Sequence, residues 1–179
     1  MRIIGGDLGG RKIAPPAKMP YTRPTTDVAK EGLFNILQNQ VDFEGIATLD
    51  LFGGTGAISY ELASRGATAL TIVEKDPVMF QFIKSNIEKL GIAGAILLKA
   101  DVFKFLQTAS ETYDFIFAGP PYALNTIDDL PKLILEKQLL APDGLFVLEH
   151  TPRNQYAAFK GFVKQRHYGT TVFSFFEAV

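Results

Sequence analysis

From Ile46 to Glu149 the chain alternates short apolar runs with longer amphipathic stretches. Ile46–Leu51, Ala69–Val73, Ala95–Leu98, Tyr113–Phe117 and Leu145–Glu149 are apolar runs too short for helices, and they read as strands. Between them, Ala57–Arg65 has the spacing of a helix stopped by Gly66, and Pro77 suits the first turn of a second helix. The apolar positions of that second helix include Val78, Phe82, Ile83, Ile87 and Leu90, with Gly91 ending it. Val102–Leu106 predicts a short helix and Asp128–Lys137 another. Phe162–Tyr168 and Thr171–Glu177 read as two strands of a hairpin around Gly169. At the other end, residues 1–25 are irregular or short-stranded, punctuated by Gly5-Gly6, Gly9-Gly10, Pro15-Pro16 and Pro20. Thr26 or Asp27 caps a helix reaching about Gln40, with Val28, Leu33, Phe34 and Leu37 on its apolar side.

Strands alternating with helices build βαβ units. The expected fold class is α/β: a doubly wound, Rossmann-like domain with a mostly parallel seven-stranded sheet, a C-terminal antiparallel hairpin and an N-terminal extension. Residues 1–40 would form the extension and its helix, and residues 41–179 the main domain. A length of 179 residues with 47% hydrophobic and 21% charged positions fits one folded domain with a sizeable core. No apolar run approaches the ~18 residues of a membrane span, and Met1–Gly6 turns polar too early for a signal peptide. The absence of cysteine excludes disulfides and thiolate chemistry, and two histidines do not make a metal site. A cytoplasmic, monomeric enzyme is the expectation.

The stretch Tyr113-Asp114-Phe115-Ile116-Phe117-Ala118-Gly119-Pro120-Pro121-Tyr122 carries the most chemistry. A buried strand runs into two prolines, which cannot continue a ladder and so stiffen the loop at the strand's C-terminal edge. Ligands of open α/β sheets bind at that edge. A rigid loop bearing an aromatic ring there suits a flat substrate such as a nucleobase. The loop resembles the [Asp/Asn]-Pro-Pro-[Tyr/Phe] signature of methyltransferases acting on exocyclic amines of bases. Gly119 stands where that signature has an acid or amide.

A second loop, Asp50-Leu51-Phe52-Gly53-Gly54-Thr55-Gly56, joins a strand to a helix. Its glycines allow a tight turn and close approach to a ligand, as in dinucleotide enzymes, but the dinucleotide pattern G-x-G-x-x-G would need glycine at Ser59. Asp50 would repel a pyrophosphate and suit a cation. S-adenosylmethionine, with a sulfonium, an ammonium and no phosphate, fits that charge. Glu74 ends the next strand, 18 residues beyond Gly56, where it can accept hydrogen bonds from a ribose diol. Asp101 follows the third strand and can accept from an adenine amine, with Val102 offering its backbone. Each acid alone is ordinarily a cap or surface group; three at successive strand ends beside a glycine loop argue for a site.

Residues 1–30 contain Arg2, Arg11, Lys12, Lys18, Arg23 and Lys30 against Asp7 and Asp27, a net +4, which leaves −5 on the remainder of a chain of net charge −1. Basic residues mixed with Gly and Pro fit either a phosphate-contacting arm or an ordinary solvated terminus. Met1-Arg2-Ile3-Ile4-Gly5-Gly6, Gly10-Arg11-Lys12, Arg23-Pro24-Thr25-Thr26-Asp27 and Glu31-Gly32-Leu33-Phe34-Asn35-Ile36-Leu37 resemble the opening of the RsmD-type family, bacterial methyltransferases of a guanine N2 amine in small-subunit ribosomal RNA. The glycine loop, the Glu74-Lys75-Asp76 turn, Asp101, the Pro-Pro-Tyr loop and Tyr168-Gly169 are similar to that family in order and spacing. The resemblance implies S-adenosylmethionine as cofactor, held by Asp50, Phe52, Gly54 and Gly56 near the methionine moiety, Glu74 and Lys75 near the ribose, and Asp101 and Val102 at the adenine. It further implies that Arg23, Pro24 and Thr25 lie over the cofactor and substrate entrance. Arg2, Arg11, Lys12 and Arg23 would contact RNA, whether ribosomal RNA or the assembling small subunit.

In that frame Gly119, Pro120, Pro121 and Tyr122 form the catalytic loop. An exocyclic amine is a poor nucleophile and must be held in line with the methyl group, positioning worth up to about ten kcal/mol. Loop acceptors would hold its N–H bonds, and Tyr122 would stack on the base for ~1–3 kcal/mol. Gly119 removes one side-chain acceptor, a loss that commonly costs ~3–4 kcal/mol at a transition state. Asp114, at the other end of its strand, is a poor substitute. Alternatives are an adenine-N6 or other nucleic-acid amine methyltransferase, a cofactor- and RNA-binding protein of impaired activity, and, more remotely, a dinucleotide oxidoreductase. His150 reads as an ordinary strand-end residue more readily than a cleft residue, His167 as an exposed strand residue, and Phe103, Phe105 and Phe115–Phe117 as core.

Overall fold

The computed structural model describes residues 1–19 and 23–179. Pro20, one of the expected breakers, lies outside the described residues. Seven strands form one sheet: β1 (Ala47–Leu51), β2 (Ala69–Val73), β3 (Ala95–Leu98), β4 (Tyr113–Ala118), β5 (Leu140–His150), β6 (Phe162–Tyr168) and β7 (Thr171–Glu177). The helices are α1 (Asp27–Leu37), α2 (Ala57–Ser64), α3 (Pro77–Leu90), α4 (Val102–Thr108) and α5 (Asp129–Glu136). The strand order is β3-β2-β1-β4-β5-β7-β6, parallel from β3 to β5 and antiparallel through β7 and β6. The doubly wound sheet and its C-terminal hairpin agree with the sequence reading. After β1 the chain winds outward to β3, then returns to place β4 on the other flank of β1. That reversal opens a crevice at the C-terminal ends of β1 and β4, where ligands of such sheets bind.

Local signals explain the element boundaries. Thr26 Oγ1 accepts from the Ala29 N–H at 3.2 Å to cap α1, and Asp76 Oδ2 accepts from Met79 N–H at 3.0 Å to cap α3, with Pro77 at its first position. Gly91 closes α3 in the left-handed conformation (φ 66°). Helix α1 stops at Leu37 rather than Gln40. Val28 and Val78 do not belong to apolar faces: they are 72% and 58% exposed, and Ala29 and Met79, one residue on, point inward instead. Phe103 and Phe105 are only half-buried against the core, whereas Phe115 and Phe117 are buried within it. Strand β5 begins at Leu140, five residues before the expected start, because Leu140 pairs with Tyr113 across a register shift.

The extension packs into the same interior as the sheet. Ala29, Leu33, Phe34 and Leu37 of α1 join Phe115, Val147, Phe173 and Phe175 in one cluster. Gly32 lets α1 approach the hairpin: a Cβ there would lie 2.2 Å from the Tyr168 ring. Ahead of α1, Arg2 and Lys12 face each other across an antiparallel bridge, with Ile3 and Ile13 buried beside them. Lys30, one of the six basic residues of the arm, is 1% exposed and is not available to a phosphate. Its Nζ donates to the Arg2 carbonyl at 2.6 Å and pairs with buried Glu61 at 3.3 Å. The other Glu61 contacts are Arg65 Nε at 2.9 Å and the Ile4 and Gly5 N–H groups, both at 2.9 Å.

Candidate functional site

A cavity of about 420 Å³ lies at the switch point between β1 and β4. Phe52, Gly54 and Thr55 of the glycine loop form one wall, Glu74, Lys75 and Asp76 after β2 the next, and Asp101 and Val102 after β3 a third. Gly119 and Pro121 face them from the loop after β4, and Arg23, Pro24 and Thr25 contribute from the segment before α1. Segments far apart in the chain thus converge on one space. Two of the expected cofactor residues are off this wall. Asp50 is buried (2% exposed) and accepts from Ser59 Oγ of α2 at 2.7 Å, and Gly56 turns the chain into α2. Gly56 has φ 83°, and a Cβ there would lie 2.4 Å from the Tyr60 ring, so glycine is required.

Glu74 organises the loop it faces. Its Oε1 accepts from Gly54 N–H at 2.7 Å and its Oε2 from Asp76 N–H at 2.8 Å. Asp101 caps α4, Oδ1 accepting from the Phe103 and Lys104 N–H groups at 2.9 and 3.2 Å, while also lining the cavity. Burial pushes the Asp50 carboxyl up to about 7, opposed by the Ser59 hydrogen bond and reinforced by the charge of Glu74. Burial also raises Glu74 above the usual carboxylate range. Neither acid is in an ion pair among the described residues. Two adjoining carboxylates that are costly to ionise and lack a cation favour a positively charged ligand over a phosphate.

At the other side, the Gly119 N–H donates to the Leu51 carbonyl at 3.3 Å, docking the loop after β4 against the end of β1. Pro121 lines the cavity, Pro120 is buried, and Tyr122 is half-buried off the cavity wall. The Arg23 guanidinium lies over the Tyr122 ring, 4.7 Å from its centroid. A Cβ at Gly119 would meet only the Phe117 ring, at 3.0 Å. A side chain at 119 therefore needs Phe117 to yield by a few tenths of an ångström. Asp114 accepts from Ala47 N–H at 2.9 Å at the far end of the strand pair, so it serves the sheet and not the cavity.

Glu149 is a site residue that the sequence reading passed over. At the end of β5 and 3% exposed, it accepts from Tyr122 Oη at 3.0 Å and from Thr25 Oγ1 at 2.5 Å. Burial raises its carboxyl above the ordinary range, opposed by those two hydrogen bonds and by Arg23. The signal was the one that pointed to Glu74 and Asp101: an acid closing a strand at the ligand-binding edge. His150 beside it is buried. Its Nδ1 faces the Thr151 carbonyl at 2.7 Å and must donate there, so Nε2 accepts from Ser174 Oγ at 2.6 Å. Burial lowers its affinity for a proton, and it is a structural strand-end residue. His167 is exposed on β6. Arg2, Arg11 and Lys12 are exposed together on the N-terminal bridge.

Residues 1–177 match the family described as Conserved hypothetical protein 95. The chain is 31% identical to the ribosomal RNA small subunit methyltransferase D of Escherichia coli over 154 residues, spanning 86% of this chain and 76% of that one. Its fold is similar to that of a hypothetical protein of Thermus thermophilus, with a TM-score of 0.86, 30% identity and 99% of each chain covered. It is also similar to the 16S rRNA N2 methyltransferase RsmC of T. thermophilus, solved in complex with AdoMet and guanosine. That likeness has a TM-score of 0.68 at 25% identity, over 87% of this chain and 44% of that one.

Proposed function

The chain belongs to the family described as Conserved hypothetical protein 95, and from that premise we propose that it is an S-adenosylmethionine-dependent methyltransferase of ribosomal RNA whose target is a guanine N2 amine in the small subunit. The observation that carries the reading is a pair of buried carboxylates with no ion-pair partner among the described residues: Glu74 on the wall of the cavity that Gly119 and Pro121 also line, and Asp50 behind that wall at the end of β1. A dinucleotide would bring its pyrophosphate against those charges; S-adenosylmethionine brings a sulfonium and an ammonium. The guanosine bound to the RsmC relative and the small-subunit activity in the name of the E. coli relative support the finer target.

Within this proposal, Phe52 and Gly54 meet the methionine end of the cofactor, with Asp50 and Gly56 holding the turn behind them, while Glu74 and Lys75 meet the ribose and Asp101 and Val102 the adenine. Bound there, S-adenosylmethionine would supply an electrophilic methyl group on cationic sulfur for the amine nitrogen. Tyr122 stacks the base, which must be unpaired or flipped out to reach the loop. The carbonyls of Gly119 and Pro120 accept the amine N–H bonds. Arg23, with Arg2, Arg11 and Lys12, meets the RNA backbone. The protein acts as a monomer in the cytoplasm on ribosomal RNA or the assembling subunit; no described helix is long and apolar enough to cross a membrane.

Gly119 favours a second reading, a protein that binds cofactor and RNA with little turnover, because the loop lacks its usual side-chain acceptor. One experiment separates these readings. Small-subunit RNA lacking modifications is incubated with the protein and S-adenosylmethionine, then digested to nucleosides for mass spectrometry. N2-methylguanosine is the expected product. N6-methyladenosine overturns the guanine assignment, and cofactor binding without product supports the second reading.

A further inference from the structure

Glu149 joins two parts of the site that are far apart in sequence. Thr25 belongs to the segment that walls the cofactor cavity, and Tyr122 belongs to the loop expected to receive the base. Both hydroxyls donate to one buried carboxylate, Thr25 to Oε1 and Tyr122 to Oε2. Thr171 of β7 adds a contact of 3.3 Å to the Tyr122 hydroxyl from the hairpin side. Arg23, two residues before Thr25, completes the junction by lying on the Tyr122 ring. Such hydrogen bonds to a buried acid are stronger than neutral ones, and a carboxylate that lost both partners would be left buried without compensation. The acid therefore ties the two segments to each other.

We propose that Glu149 is a positioning residue, a latch that fixes the Arg23–Thr25 cover and the Tyr122 platform to each other, so that cofactor retention and base stacking are set by one carboxylate. The proposal rests on the methyltransferase reading for its consequences and on the geometry alone for the latch. Glu149 does not itself line the cavity; it acts through Thr25, which does, and through Tyr122. Arg23 covers one face of the Tyr122 ring.

The test compares wild type with Glu149→Ala, Glu149→Gln, Thr25→Val and Tyr122→Phe in the full chain, after thermal melts establish which variants fold. Two measurements are made without RNA: hydrogen exchange of the segment around residues 23–27 in the free protein, and the dissociation rate of S-adenosylmethionine by stopped flow. Thr25→Val and Tyr122→Phe leave Glu149 in place and remain informative if Glu149→Ala fails to fold. Exchange in the cover should rise in Thr25→Val and Glu149→Ala. Cofactor release should quicken by about tenfold or more, the worth of one hydrogen bond to a charged acceptor. Thr25→Val should add nothing further in the Glu149→Ala background, and Glu149→Gln, which keeps one carbonyl acceptor, should recover part of the loss. Unchanged exchange and release in Thr25→Val and Tyr122→Phe overturn the latch. A protein that binds no S-adenosylmethionine overturns the functional reading instead, and the exchange measurement still decides the latch.

Discussion

Gly119 and Leu51 meet at 3.3 Å, amide to carbonyl, so the loop that would hold the substrate is tied to the strand that launches the glycine loop. The tie fixes the loop backbone whether or not residue 119 carries a side chain. It explains how the site keeps its shape with glycine where an acid or amide is customary in such loops.

Because the backbone is already placed, Gly119→Asp should restore an acceptor at modest structural cost. The new Cβ would press only on Phe117 Cε1, at 3.0 Å, and a small ring displacement relieves it. A preorganised polar group at a transition state is worth roughly 10²–10³ in rate. Methyl transfer to small-subunit RNA, compared between wild type and Gly119→Asp under single-turnover conditions, should quicken by about 10²-fold. Equal rates would show that the carbonyls of the loop already supply what the acid supplies elsewhere.

Asp50 gives the site a pH dependence. Its carboxyl sits at about 7, against an ordinary value of 3.8, chiefly through burial. A cationic ligand favours the ionised form, so affinity for S-adenosylmethionine should climb as pH rises through about 7 and level off above it. Binding near that pH should release a fraction of a proton, detected by calorimetry in buffers of different ionisation enthalpy. The stability of the free protein runs the other way. With the folded value raised, the contribution is full below the unfolded value and is lost as pH rises through about 7. Asp50→Asn should flatten both trends; an affinity that does not change from about pH 6 to about pH 8 in the wild type refutes the charge argument.

The parallel strands were legible because each is a short apolar run, and an acid or a glycine at or within three residues of its end marked the cavity edge. Val28 and Val78 misled because a β-branched residue in the first turn of a helix looks apolar in a pattern yet faces water when the helix docks one residue further round. Lys30 reads as a member of a basic arm, and nothing local reveals that Glu61, in another helix, buries it. The contact of Gly32 with Tyr168 was invisible for the same reason: sequence reveals periodicity, while tertiary neighbours across the sheet come only with the fold. Glu149 was readable in type and place, but its bonds to Thr25 and Tyr122 depend on how three segments converge.

Glu61 should be a keystone for the N-terminal segment. It is fully buried, pairs with Lys30 and Arg65, and accepts the Ile4 and Gly5 N–H groups. These hydrogen bonds and Lys30 hold its carboxyl below the ordinary range despite the opposing cost of burial. The resulting stability is present above the unfolded value and is lost as pH falls through the lower folded one. Glu61→Ala leaves the Lys30 ammonium buried without its counter-charge, which costs about 3–5 kcal/mol when such a pair is broken. Urea unfolding should show that loss. A change below about 1 kcal/mol would mean that Lys30 is readily rehydrated, as an exposed pair would be.

Arg2 and Lys12 sit opposite each other on the antiparallel bridge and are exposed, whereas Lys30 is removed from the surface. The arm's contact with RNA should therefore run through Arg2, Arg11 and Lys12. Phosphate contacts release counterions, so log affinity falls with log salt in proportion to the charges engaged. Arg2→Gln and Lys12→Gln should each weaken binding of a small-subunit RNA fragment to a similar degree whatever its sequence, and each should lower the salt slope by about one. Because both side chains are exposed, thermal melts should move little. Fluorescence titrations at several salt concentrations measure the slope. An unaltered slope in the double variant would assign the arm to folding, through Ile3 and Ile13 beneath it, and leave Arg23 at the cavity mouth as the remaining phosphate contact of the proposed set.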